Sequence, residues 1–285
     1  MLIRAALAFL LLLAPVLLLA PILLLAPVAR AQPGGAADAV AAAIRLPEVV
    51  EVLRQEGLDY GRTLEGQLFP GQGGATWAAR VATIYDAPRL QAAVLSAFRT
   101  ALPPAEAPAI LAFLGSPLGR RVVGLELSAR EAMLAPDVTE MARQTWAAMQ
   151  EADDPRVAAL RGFAEDNGLI EVNVANTLNA NLAFYRGLVE GHAKGFDMTG
   201  AQIEREVAGQ AGAVRSEIAD WLFAYLALAY EPLSDADLAA YAAFGRSPAG
   251  RALNAALAEA FDGVFDRVSH DLGREAARYL AGPAL

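Results

Sequence analysis

Cysteine is absent from the 285 residues, lysine occurs once (Lys194) and histidine twice. Without cysteine there are no disulfides, thiolate metal sites, cysteine nucleophiles or lipidated N-terminal cysteine. A domain of some 250 residues can bury a core large enough to fold without covalent staples. Two histidines leave no H-E-x-x-H zinc signature. Basic charge is also scarce: the formal net charge is −9. Setting aside residues 1–31 removes Arg4 and Arg30 and no acid, which takes the balance to −11. Such a surface repels phosphate backbones and anionic headgroups, so nucleic acid is not expected as a partner.

What is abundant is apolar, at 55% of the chain, and its first part is a leader. Arg4 precedes an uncharged run over residues 5–29, in which LLLAPV, LLLAPI and LLLAPV follow one another. The run ends at Ala29-Arg30-Ala31. A basic start, an apolar middle and a small-x-small end mark a secretory signal peptide, cleaved after Ala31. A retained inner-membrane anchor over residues 5–29 is the alternative, since the run is long enough to span a bilayer. Pro15, Pro21 and Pro27 weaken a spanning helix. Either way the folded part is expected in the periplasm or beyond, with membrane contact only through the N-terminal segment if it is uncleaved.

Beyond the leader, helix start and stop signals recur and strand signals barely occur. Asp86, Ser116, Asp154, Thr199 and Ser234 stand where N-caps are expected, three of them next to or just before proline. Gly57 and Asn167-Gly168 read as helix ends. Leu253, Leu257, Phe261, Val264, Val268 and Leu272 form one apolar stripe at helical spacing. The pattern predicts an all-α, multi-helix bundle of nine or ten helices.

Two stretches are alike. FLGSPLGRR at 113–121 matches FGRSPAGRA at 244–252, and nine of nineteen positions agree between 102–120 and 233–251. Each residue type suits a corner between helices. The Phe anchors the end of a short helix, the Ser caps the next, the Pro takes its first position, and the Gly admits a close neighbour. Arg120 and Arg251 sit in a first turn that disfavours cations, so they should reach a carboxylate or carbonyls of the preceding helix. Phe113 and Phe244 should be buried. As nucleophiles Ser116 and Ser247 fail, because neither lies in a G-x-S-x-G elbow after a strand.

A short helix, F-x-x-S-P-x-G-R and a long helix together resemble the domain of unknown function 2059 family. The resemblance covers about residues 75–150 and 200–280. It implies an exported, helical bacterial protein and carries over no catalytic or ligand residues. The chain departs from a single-copy pattern by holding two, expected as repeats at 32–152 and 153–285. RQEGLDYG and AEDNGLIEV match at a different offset, which places about twenty extra residues in the second copy around 176–198.

Four other constellations occur. Asp262, Asp266 and His270 have the spacing of metal ligands, but lie away from the Phe261 core direction and are expected to face solvent. Glu190, His192, Lys194 and Asp197 read as a solvated helix end. Asn173, Asn176 and Asn179 are expected to face water and Asn181 to be buried with a partner, while FPGQGGATW reads as a linker. No catalytic, cofactor or metal set emerges. The expected function is an exported binding or interaction module with a protein partner. The alternative is a carrier of a small apolar ligand, for which Trp221, Phe223, Tyr225 and Tyr230 are the residues of interest. A catalyst of unrecognised type is the remaining reading.

Overall fold

The fold is that of a computed structural model, which describes residues 35–281. The leader and its cleavage point at Ala31 lie outside the described residues. Twelve helices and no strand occur among the described residues: α1 (Ala36–Ala43), α2 (Leu46–Leu68), α3 (Gly74–Ile84), α4 (Ala87–Ala101), α5 (Ala107–Leu114), α6 (Pro117–Ala132), α7 (Pro136–Glu151), α8 (Pro155–Asp166), α9 (Leu169–Glu190), α10 (Gly200–Tyr230), α11 (Asp235–Arg246) and α12 (Pro248–Leu280). The all-α class is as expected. The count is higher than nine or ten because α1 and α5 have only eight residues each, about two turns, too few to display a periodicity.

The caps are chemical and local. Asp86, Ser116, Asp154, Thr199, Ser234 and Ser247 each accept a hydrogen bond from a first-turn amide with their side chains. Thr199 and Gln202 complete a reciprocal capping box. Gly57 is not the helix end expected of it. It lies inside α2, where a Cβ would stand 2.1 Å from the Tyr85 ring, so the glycine exists to let that ring close on the backbone. FPGQGGATW is a fixed corner rather than a linker. Glu65 Oε1 accepts from the amides of Gly73 (3.0 Å) and Gly74 (2.8 Å), while Phe69 and Trp77 pack against Tyr279.

The frame is set by α9 and α12, which share the most extensive interhelical contact. They run parallel, since Asn254 meets Asn167, Asp262 meets Asn179 and His270 meets Glu190. Small residues make the approach possible: a Cβ at Gly187 would lie 2.2 Å from the His270 carbonyl oxygen, and one at Gly273 2.1 Å from that of Phe184. The buried clusters cross residue 152. One joins α1–α6 to α9, the start of α10 and α12; another joins α6–α8 to the C-terminal half of α10 and to α11.

Candidate functional site

The two like stretches repeat three contacts, and Ser247 Oγ adds a fourth by donating to the Phe244 carbonyl at 2.6 Å. Ser116 Oγ accepts from the Gly119 amide at 2.9 Å and Ser247 Oγ from the Gly250 amide at 3.0 Å. A Cβ at Gly119 would lie 2.1 Å from the Phe113 carbonyl oxygen, and one at Gly250 2.1 Å from that of Phe244. Arg120 donates to the Gly115 carbonyl and Arg251 to the Arg246 carbonyl, each five residues back, as the dipole argument requires.

The copies also touch at this point. The rings of Phe113 and Phe244 stack on each other with centroids 3.7 Å apart and planes at 5°. Both phenylalanines are therefore half-buried rather than buried, because each is the other's cover. Tyr241 of α11 stacks beside Phe113 at 5.8 Å and packs on Phe163 at 5.1 Å. These residues, with Asn167 and Asn254, line a cavity of about 20 Å³, room for roughly one water. Asn254 donates to Asn167 Oδ1 at 2.9 Å and the Asn167 amide to the Phe163 carbonyl at 2.8 Å, so the cavity's amides serve the joint.

Behind Tyr241 is Glu126 of α6, with no exposed surface. Tyr230 Oη donates to its Oε1 at 2.6 Å and Tyr225 Oη donates to its backbone carbonyl at 3.0 Å. Burial pushes the carboxyl well above the usual range, and the phenol bonds only partly offset that. The Tyr225, Tyr230 and Tyr241 hydroxyls are raised in turn, first by burial and then by Glu126. One turn on, buried Arg130 grips Glu56 of α2 with two bonds (2.8 and 2.7 Å), its guanidinium 5.2 Å from the centre of the Trp221 ring. The seam between the copies thus holds a carboxyl among phenols and an arginine over a tryptophan ring, the same arginine being tied to Glu56 within the first copy.

No protein-family model, curated protein or solved structure matches the chain.

Geometry therefore carries the account of the remaining residues. Asp262, Asp266 and His270 do not face open solvent. They are half-buried along the α9 seam, where Asn179 donates to Asp262 (3.2 Å) and His270 pairs with Glu190 (2.9 Å). The Phe261 direction misled because α12 packs on α9 and α4 over more than one face, leaving that stripe at the rim of a contact. Burial, and then Asp262, raise the Asp266 carboxyl above its usual range, against Arg186. Among the described residues no three His, Asp or Glu side chains gather as metal ligands would. His192, Lys194 and Asp197 are exposed in the α9–α10 turn.

Asn173 corrects its expectation, since it is buried and donates to the Leu169 carbonyl at 2.7 Å, within its own helix. Asn181 is buried as expected and donates to Gln210 Oε1 at 2.9 Å. Of the four aromatic residues singled out for a ligand, Tyr225 and Tyr230 are fully buried, and Phe223 stacks on Trp146 at 4.9 Å. Residue-by-residue reading missed Glu126, Arg130, Glu56 and Tyr241. The signal was present for two of them. Glu126 and Arg130 continue, at helical spacing, the buried stripe of Gly119, Val122 and Val123, and an acid on an apolar stripe asks for a partner.

Proposed function

We propose that this chain is an exported helical scaffold of the periplasm, acting by binding a protein partner rather than by catalysis. The observation that carries the reading is the seam. Phe113 stacks on Phe244, Glu126 accepts from Tyr230 and the Arg130 guanidinium lies over the Trp221 ring, so the groups at its centre serve to hold two copies together. A catalytic group must instead reach a reacting atom. Export is supported by the leader, with its basic start, apolar run and Ala29-Arg30-Ala31 end. Purification of the full chain from its native envelope, followed by mass spectrometry, tests both parts. A mature N-terminus at Gln32 and a stoichiometric protein companion are expected. An intact Met1 in the membrane fraction would establish the anchor instead.

A second reading, a carrier for a small apolar ligand, is favoured by one feature. Between α8 and α11 runs a groove of about 440 Å³ floored by Ala158, Ala159, Gly162, Ala239 and Ala242. Its ends are marked by Arg156 with Asp235 and by Arg246 with Asp166. A co-purifying small molecule, displaced by Gly162→Leu, would favour this reading over the first.

A further inference from the structure

The likeness of the copies extends beyond the joint. Arg45 and Gly168 both take the left-handed conformation (φ 53° and 61°) at a corner between helices, α1 to α2 in one case and α8 to α9 in the other. Each precedes a buried leucine, Leu46 or Leu169. These corners lie 123 residues apart and the joints 131, so the second copy is longer by eight residues in between, not by about twenty. RQEGLDYG lies inside α2 whereas AEDNGLIEV spans the α8–α9 corner, so those two stretches are not equivalent places. Contacts between the copies are reciprocal. Helix α4 packs on α12 as α10 packs on α6, α5 touches α12 as α11 touches α6, and Phe113 meets its own equivalent, Phe244. The arrangement is that of a two-fold dimer closed within one chain.

Reciprocal places do not carry the same chemistry. On α6, Glu126 accepts from Tyr230 at 2.6 Å, its carbonyl accepts from Tyr225 at 3.0 Å, and Arg130 lies 5.2 Å from the centre of the Trp221 ring. At the offset of 131 the matching residues of α12 are Leu257 and Phe261. Those of α4, in place of Trp221 and Tyr225, are Leu90 and Val94, and all four belong to one buried apolar cluster. One half of the seam is thus polar on α6 and aromatic on α10, and the other is apolar on both sides. Other charges near the polar half discriminate less. Arg130 is tied to Glu56 inside its own copy and keeps that pair whatever α6 packs on. Arg121 reaches Asp237 across the seam, but Glu106 stands at the matching place of the first copy. Arg99 stands where Tyr230 does and is held at 2.5 Å by Asp38 of its own copy.

We propose that Glu126 and Arg130 are a pairing code: they make the first copy accept the second and reject another first copy, so that two chains do not exchange their halves. Were α6 to meet the α4 of another chain, Val94 and Leu90 would stand in place of Tyr225 and Trp221. Glu126 would lose its phenols and Arg130 its aromatic face, at two buried positions. Buried polar groups that lose a partner cost more than the apolar contact returns. Leu257 and Phe261 of α12 make no such demand, so the code is written on α6. It is independent of what the chain binds.

The full chain with a protease site placed in the turn before α7, at the exposed Pro136 and Asp137, tests the code. The folded protein is cut, the two pieces are unfolded and refolded together, and native mass spectrometry counts like and unlike pairs by their masses. Wild type should give unlike pairs nearly alone, whereas random association would leave about half of the pairs alike. The quantity compared is the square of the unlike pairs over the product of the two like pairs. Glu126→Leu with Arg130→Phe, which writes the α12 residues into α6, should lower it by about tenfold or more, since every other difference between the copies is unchanged. Trp221→Leu with Tyr225→Val writes the α4 residues into α10 and should lower it from the other side of the seam, which decides the matter if the first variant does not fold. A wild type that pairs at random, pieces that do not pair again, or a folded variant whose like pairs stay as rare as in wild type would overturn the proposal.

Discussion

Replacing Phe113 and Phe244 by alanine, singly and together, measures how strongly the copies hold each other. Truncating a fully buried Phe costs roughly 3–5 kcal/mol. Both rings are half-buried, so each single change should cost about 1.5–2.5 kcal/mol, and Phe113 the more because Tyr241 also stacks on it. Once one ring is gone, the other has lost its cover, and the second truncation removes less. An aromatic pair couples by about 0.5–1.5 kcal/mol beyond area burial. Here the rings lie nearly face to face, 3.7 Å apart, so their like-charged faces oppose and the coupling belongs in the lower half of that range. The double variant should therefore be more stable than the sum of the singles predicts by about 0.5–1 kcal/mol. Urea unfolding of all four proteins gives the cycle, provided the m-value is unchanged. Additive losses, to within about 0.3 kcal/mol, would refute the inference that this stack joins the copies.

Ser116→Ala and Ser247→Ala should each cost about 0.5–2 kcal/mol in thermal or urea unfolding, Ser247 the more because its hydroxyl also donates to the Phe244 carbonyl. A variant of parental stability that had lost its partner would point instead to a functional serine. Glycine-to-alanine changes should split by place. Gly187→Ala puts a Cβ 2.2 Å from a backbone oxygen of α12 and should lose about 1–3 kcal/mol, despite the better helix propensity. Gly209→Ala, with nothing within 4 Å of the new atom, should gain about 0.5–1 kcal/mol. Equal signs at the two sites, read by thermal melts, would contradict the packing of α9 on α12.

Much was legible from residues alone because it depends on contacts within a few positions of the chain. Caps at Asp86, Ser116, Asp154, Thr199 and Ser234, the stripe of α12, the all-α class and the outward reach of Arg120 and Arg251 are settled by the helix repeat and its free terminal amides. The kinship of 113–121 with 244–252 was legible for the same reason. That the two Phe rings stack on each other was not, since a repeat says that two corners are alike and not where they lie. Gly57 was misread because a glycine that ends a helix and one that admits a ring from another helix look alike in sequence. The Asp262, Asp266 and His270 stripe and Asn173 were misplaced because a single apolar direction was assumed for helices that pack on several neighbours. Glu126 depended most on tertiary structure. Its neighbours Tyr225 and Tyr230 come from about a hundred residues away, and their convergence helps to make a carboxyl tolerable inside the core.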